Sequence, residues 1–316
     1  VNLTFRKNNV MARISRQTRE IIKIVIFFVV VGLILTFYVI YPLNRTKALM
    51  GRSDIDDFRT DSLPANDPAL YIEAGLNPDT FRLEIDKITT LAGLYIEPAV
   101  DSLKTDTPFV PKGTVILLHD ERLNRNSMIP LAKSLSDSGF IVVVYDQRAC
   151  GLSSGSYRGE GFYEANDLEE IIPYLELRQK IHQPLSVVGF SVGADAALLA
   201  AVDEKRIEKV VAIDPYLTTI RYQNILKAEH GTLWIPFFRT VMWWWYDLRS
   251  GYAAPYRTLD NLQPVACPTL LMVGSDQMEV SEIVKIKELS EANSLVLKPT
   301  PVDETAFFNE IIAFIR

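Results

Sequence analysis

The sequence predicts an α/β body on a mostly parallel sheet of about eight strands, covered by helices on both faces and preceded by one membrane-crossing helix. Three observations predict it. Short apolar runs such as T-V-I-L-L-H (114–119), I-V-V-V-Y-D (141–146) and L-S-V-V-G-F (185–190) alternate with longer amphipathic stretches. That is the pattern of strands buried on both faces by crossover helices. The 316 residues are 48% hydrophobic and 23% charged, enough for a sizeable core. One stretch, Ile24 to Tyr41, departs from this balance and carries no charge.

That stretch reads I-V-I-F-F-V-V-V-G-L-I-L-T-F-Y-V-I-Y. As a helix it covers about 27 Å, close to the hydrocarbon thickness of roughly 30 Å once its apolar flanks join it. A core helix of this length would show a polar face. A cleaved signal would have a shorter apolar region and a small-residue cleavage site, which Tyr38 to Leu43 lacks. A retained anchor over 24–41 is therefore expected. Arg6, Lys7, Arg13, Arg16, Arg19 and Lys23 precede it, whereas Arg45, Lys47 and Arg52 beyond it are diluted by Asp54, Asp56 and Asp57. The positive-inside rule then puts residues 1–23 in the cytoplasm and the body outside it.

The remaining elements follow in order. Residues 42–80 are polar, with Pro64, Pro68 and Pro78, and read as a linker holding one short helix at most. F-R-L-E-I (81–85) and T-L-A-G-L-Y-I (90–96) alternate as two half-exposed strands joined by a turn at Asp86-Lys87. Strand 114–119 leads to a helix near Met128 to Ser136, and strand 141–146 to one from about Tyr163 to Lys180. Strand 185–190 leads to the helix after Ser191. K-V-V-A-I-D (209–214) precedes an insertion of about 216–262, a helical cap. T-L-L-M-V-G (269–274), a helix near 280–290, S-L-V-L (294–297) and a last helix over 306–316 complete the body. Sites in such sheets lie beyond the carboxyl ends of the strands, where His119, Asp146, Ser191, Asp214 and Asp276 fall.

Composition narrows the function. A net charge of −6 argues against nucleic acid, which needs a basic surface. Cys150 and Cys267 form no disulfide framework and lack metal-ligand spacing, and no cofactor fingerprint appears, so neither metal nor cofactor is expected. Cys150 has no base beside it and reads as a small packing residue.

The chemistry concentrates in G-F-S-V-G (189–193), which ends a strand and opens an alanine-rich helix. In that context the serine sits on a strained turn, with glycines where strand and helix cross. The Val192 N–H and the helix N-terminus face the place where an oxyanion would form.

From about Phe81 onward the chain resembles an α/β-hydrolase. It is similar to the bacterial serine-hydrolase branch that carries D-x-R-G-x-G-x-S after the fourth strand. Here that motif is Asp146-Gln147-Arg148-Ala149-Cys150-Gly151-Leu152-Ser153, with Ala149 in a glycine position. The resemblance implies Ser191 as nucleophile, and G-S-D-Q-M (274–278) implies Asp276 as the triad acid. It also implies an oxyanion donor after the third strand, where the family's flexible H-G loop is replaced by His119-Asp120-Glu121-Arg122. Val192 and Asp120 thus stand at the oxyanion positions, although the Asp120 and Glu121 carboxylates oppose a developing negative charge.

The family's base is a histidine after the last strand. Here Asp303, or Glu304, occupies that place in T-P-V-D-E-T. Of the three histidines, His119 matches a structural family position and His182 lies at the far end of the sheet. His230 belongs to the cap and reads as a packing or surface residue, though one able to reach over the site. Two readings follow: a membrane-anchored serine hydrolase of ester, thioester or amide bonds with an impaired or atypical triad, and a non-catalytic binding or scaffolding module. The expected partner is an apolar acyl-type small molecule or lipid, besides the membrane itself. The stretch L-W-I-P-F-F-R-T-V-M-W-W-W-Y-D-L-R (233–249) reads mainly as cap packing, with contact at a membrane interface as the alternative.

The charge asymmetry makes a topological prediction. A C-terminal reporter that is active only outside the cytoplasm should be active on the full chain, and one active only inside should be silent. The reverse pattern overturns the orientation.

Overall fold

The computed structural model describes residues 16–51, 68–98, 109–120, 123–159, 161–217, 267–274 and 295–316, with positions 240, 241, 244, 245, 248 and 265 between them. Its centre is an eight-stranded sheet in the order β1-β2-β4-β3-β5-β6-β7-β8. The strands are β1 (Pro78–Glu84), β2 (Thr90–Ile96), β3 (Thr114–Leu118), β4 (Ile141–Asp146), β5 (Leu185–Phe190), β6 (Ile207–Ile213), β7 (Thr269–Val273) and β8 (Leu295–Pro299). β2 runs antiparallel to β1 and β4, and every other pairing is parallel.

Alternation along the strands sends side chains to two cores. Ile116, Leu118, Val143 and Val187 pack with Leu168 and Ile171 of α5 (Phe162–Leu177) and with the alanines of α6 (Val192–Asp203). On the other face Val115, Leu117, Val142 and Val144 meet Leu131 and Leu135 of α4 (Ile129–Asp137) and Ile311 and Ile315 of the final helix. That last helix, α7, spans Glu304–Ile315. It starts two residues earlier than periodicity indicates because the Asp303 carboxylate caps it, accepting from the Ala306 N–H at 2.7 Å.

Two other expectations are corrected. β2 is not half exposed: six of its seven residues are buried, since it lies between β1 and β4 with helices beyond. Only β1, at the edge, keeps the alternating pattern. The N-terminal helix also runs further than the apolar stretch. α1 (Arg16–Leu35), a π-helical turn (Thr36–Ile40) and α2 (Tyr41–Met50) are continuous, so nine residues assigned to the linker are helical. Pro42 explains the π turn. It has no N–H to donate, the ladder slips, and the Tyr41 N–H bonds to the Thr36 carbonyl five residues back. α3 (Ala69–Glu73) is a short helix within the linker. It buries Tyr71, whose hydroxyl donates to the Arg125 carbonyl at 2.6 Å.

Beyond β4 the 146–153 loop is held by its own motif. The Asp146 carboxylate accepts from the N–H groups of Arg125 and Leu152, at 2.9 and 3.0 Å. The Ser153 hydroxyl accepts from the Ala92 N–H and donates to the Asp146 carbonyl. Ala149, in the glycine position, is forced to φ 55°, which costs about 1–2 kcal/mol in a residue with a Cβ. Arg148 forms a two-pronged ion pair with Asp167 of α5, at 2.7 and 2.5 Å, with both side chains largely buried.

That pair generates a stability prediction. Asp167→Asn leaves a guanidinium without its counter-charge in the core, so unfolding should become easier by about 3 kcal/mol. Replacing both partners with apolar residues should cost much less. Equal losses in denaturant titrations of the two variants would show that the pairing is not what stabilises this corner.

Candidate active site

The turn between β5 and α6 is dictated by close approach. A Cβ on Gly189 would lie 2.1 Å from the Gly193 carbonyl oxygen, and one on Gly193 would lie 2.8 Å from the carbonyl oxygens of Leu118 and His119. With no room to open, the backbone reverses at Ser191, which adopts φ 55° and ψ −119°. Its N–H donates to the Ile213 carbonyl at 2.9 Å, and its own carbonyl accepts from the N–H of Ala194. The residue is 9% exposed. Val192 begins α6, so its N–H is among those a helix start leaves without an intrahelical acceptor.

β3 ends beside this turn. His119 is fully buried, its Nε2 accepts from the Gln147 N–H at 3.0 Å, and its Nδ1 donates to the Asp120 carbonyl at 2.6 Å. These bonds fix one neutral tautomer and tie the oxyanion-side loop to β4. The ring is a strut, not a base. His182 sits at the start of β3, where its N–H donates to the Thr114 hydroxyl, at the opposite end of the sheet. His230, Glu121, Arg122, the 280–290 helix and Asp276 lie outside the described residues, as does most of the cap.

Two aspartates that no motif singled out organise the neighbouring strands. Asp214, at φ 47° on the end of β6, accepts from the Gly274 N–H at 2.7 Å. It thereby fixes the start of the segment that leads to Asp276. Asp195, buried in the first turn of α6, accepts from the N–H groups of Tyr216 and Leu217 and so holds the chain where it leaves for the cap. The signal for Asp195 was available: a single acid among the alanines of a buried helix needs donors. Asp214 was visible only as a strand-end carboxylate.

A cavity of about 400 Å³ lies between the start of α4 and the start of α7, reaching Phe190 but not lined by Ser191. Phe190, Ile213, Asp214, Thr300, Glu304 and Phe307 are among its walls. The Thr300 hydroxyl is buried with no hydrogen-bond partner among the described residues. The two carboxylates expected at the histidine position therefore differ. Asp303 is engaged in capping α7, whereas Glu304 lines the cavity with Asp214.

The buried imidazole has a pH consequence. Burial holds the His119 pKa below the ordinary 6.5, against the pull of Asp146 and Asp120 in the other direction. The unfolded chain takes up this proton first, so the ring's contribution is complete above about 6.5 and is lost as pH falls below it. The slope of unfolding free energy between about pH 6.5 and 5 should be shallower in His119→Gln than in the parent. Equal slopes would mean that the native ring takes up its proton over the same pH range as the unfolded chain.

Comparison with known proteins agrees with this architecture. A family model described as alpha/beta hydrolase fold matches residues 113–263. An esterase of Pyrococcus furiosus superposes with a TM-score of 0.64 at 21% identity, over 80% of this chain and 94% of that one. A membrane phospholipase A, described as a bacterial virulence factor, superposes with a TM-score of 0.52 at 18% identity, over 94% of this chain and 97% of that one. The uncharacterised protein YqkD of Bacillus subtilis (strain 168) is 32% identical over 96 residues, a match spanning 30% of each chain. By sheet order, family-model match and structural likeness, the chain has the α/β-hydrolase fold.

Proposed function

We propose that this protein is a membrane-tethered serine hydrolase whose nucleophile is Ser191, acting on esters, thioesters or amides with an apolar acyl part. The observation that carries the reading is the Ser191 backbone. A non-glycine residue at φ 55° and ψ −119° stores about 1–3 kcal/mol of strain, and this is the geometry of a nucleophile elbow. There the hydroxyl stands above the end of the sheet, and the Val192 N–H and the α6 dipole face the oxyanion. The tether is α1 with its π turn, because the helix from Gln17 to Asn44 is apolar, long enough to span a bilayer, and not buried over its apolar window. The likeness to a membrane phospholipase A supports the tether, since it extends over 94% of this chain and so beyond the sheet domain.

The base is the weak part of the machinery. Of the described imidazoles, His119 is held by Gln147 and Asp120 and His182 lies at the far end of the sheet, and the carboxylates expected at the histidine position are Glu304 and the capping Asp303. A carboxylate of ordinary pKa near 4 takes up a serine proton poorly at neutral pH. Asp120 further disfavours the oxyanion. Slow turnover follows, and these same facts favour the second reading, a non-catalytic binding module with a hydrolase frame.

Fluorophosphonate labelling of the full chain separates the two. Covalent labelling that disappears in Ser191→Ala, together with slow hydrolysis of medium-chain acyl esters, is the expected result. No labelling under conditions that label an active serine esterase overturns the hydrolase reading. If the missing base is the main deficit, Glu304→His should raise labelling, because residue 304 faces the cavity. Asp303→His should raise it less and should lower stability by about 1 kcal/mol through loss of the α7 cap.

A further inference from the structure

A helix standing alone exposes its side chains to solvent, so burial on it locates what it touches. Residues 17–30 are all exposed, and up to Tyr41 only Val31 and Val39 fall to half-buried. Just beyond, Pro42 and Thr46 are buried, Thr46 completely. They lie one turn apart on the same face of α2. At a rise of 1.5 Å per residue Thr46 stands about 8 Å past Tyr41 along the axis. Another part of the chain therefore covers the helix within about one and a half turns of the end of its apolar run.

Large apolar side chains are exposed at the carboxyl end of the sheet. Ile88 is in the β1–β2 turn, Leu152 in the loop after β4, and Val302 in the loop after β8. The insertion that leaves the carboxyl end of β6 adds Trp244 and Leu248, which are 58% and 61% exposed. Both are helical and lie four residues apart, hence on one face, and Trp244 is braced edge-on by Trp245. A rigid exposed tryptophan with a leucine one turn on suits the headgroup level of a bilayer.

The amino end also exposes Phe109, Val110 and Leu177, so exposure alone does not choose between the ends. Two facts do. The exposed tryptophan belongs to the insertion that leaves the carboxyl end of β6, and the linker enters the body beside that end, where the Tyr71 hydroxyl meets Arg125 and Arg125 meets Asp146 of β4. Charge selects the kind of surface. With a net charge of −6, attraction to anionic headgroups does not drive the contact, and insertion of apolar side chains into a zwitterionic interface does.

We infer that the carboxyl end of the sheet, with the Trp244–Leu248 face of the cap, docks on the surface of the bilayer that holds α1, so that the Ser191 turn opens toward lipid. The inference rests on α1 being a retained anchor and not on Ser191 being active. It narrows the substrate class to acyl lipids that leave the membrane only partway.

The full chain reconstituted in phosphatidylcholine vesicles tests it. An environment-sensitive fluorophore is placed at Leu248→Cys, Val302→Cys or Leu177→Cys, each with Cys267→Ser, and quenched by lipid brominated near the headgroup. Leu177 is 85% exposed at the far end of the sheet and serves as the control. The probes at 248 and 302 should lose fluorescence and the probe at 177 should keep it. Quenching at 177 alone, quenching at all three, or quenching at none overturns the docking. Release of the chain from the vesicles by high salt removes the anchor as well. Docking and fluorophosphonate labelling are read separately, so loss of one leaves the other standing.

Discussion

The lack of space between Gly189 and Gly193 governs the rest of the molecule. The helix that follows β5 crosses so near the strand that a single Cβ at either glycine collides with backbone. Closeness at this point packs the alanines of α6 onto the sheet, and the same closeness leaves Ser191 no relaxed conformation. Moving α6 outward would relax the serine and open the core beneath it. The local strain is therefore maintained by burial over the length of the helix, an arrangement in which core packing holds a strained turn.

Around that turn, carboxylates do most of the positioning. Asp146 gathers two N–H groups beyond β4, Asp195 gathers two at the entry to the cap, and Asp214 holds Gly274. Each caps donors that strand ends and helix starts leave unsatisfied. This explains how several acids crowd one end of the sheet without forming a metal cluster among the described residues. Most of them are engaged by backbone, and their charge is spent on N–H dipoles. Glu304 differs, since it lines the cavity without an assigned backbone donor.

The sheet was legible because buried strands are continuous apolar runs and their helices are amphipathic; all eight strands appear within a few residues of where the pattern puts them. β2 misled for a definable reason. T-L-A-G-L-Y-I contains small residues that look like a solvent face but lie between neighbours, and Gly93 is overlain by the Phe81 ring. Helix ends were less legible than helices, because a cap such as Asp303 depends on one side chain and not on a period. At the site, the strained serine and the strut role of His119 could be read from motifs. That Asp195 needs donors could be read from its place in α6, but which N–H groups Asp195 and Asp214 bind could not, because those groups come close only after folding. Pro42 lies just past the apolar run, and its effect is to alter the helix and not to end it.

The π turn at Thr36–Ile40 gives the N-terminal helix a rotational setting. One residue more than an α-helical turn requires is wound into the helix there, and each residue is worth about 100° of azimuth. Every side chain beyond Ile40 is thereby turned relative to those before Thr36. The covered face at Pro42 and Thr46 thus points about a quarter-turn away from where an unbroken α-helix would aim it. Whatever packs beside the first part of α1 and whatever covers Pro42 and Thr46 are thus set about a quarter-turn apart by that single extra residue.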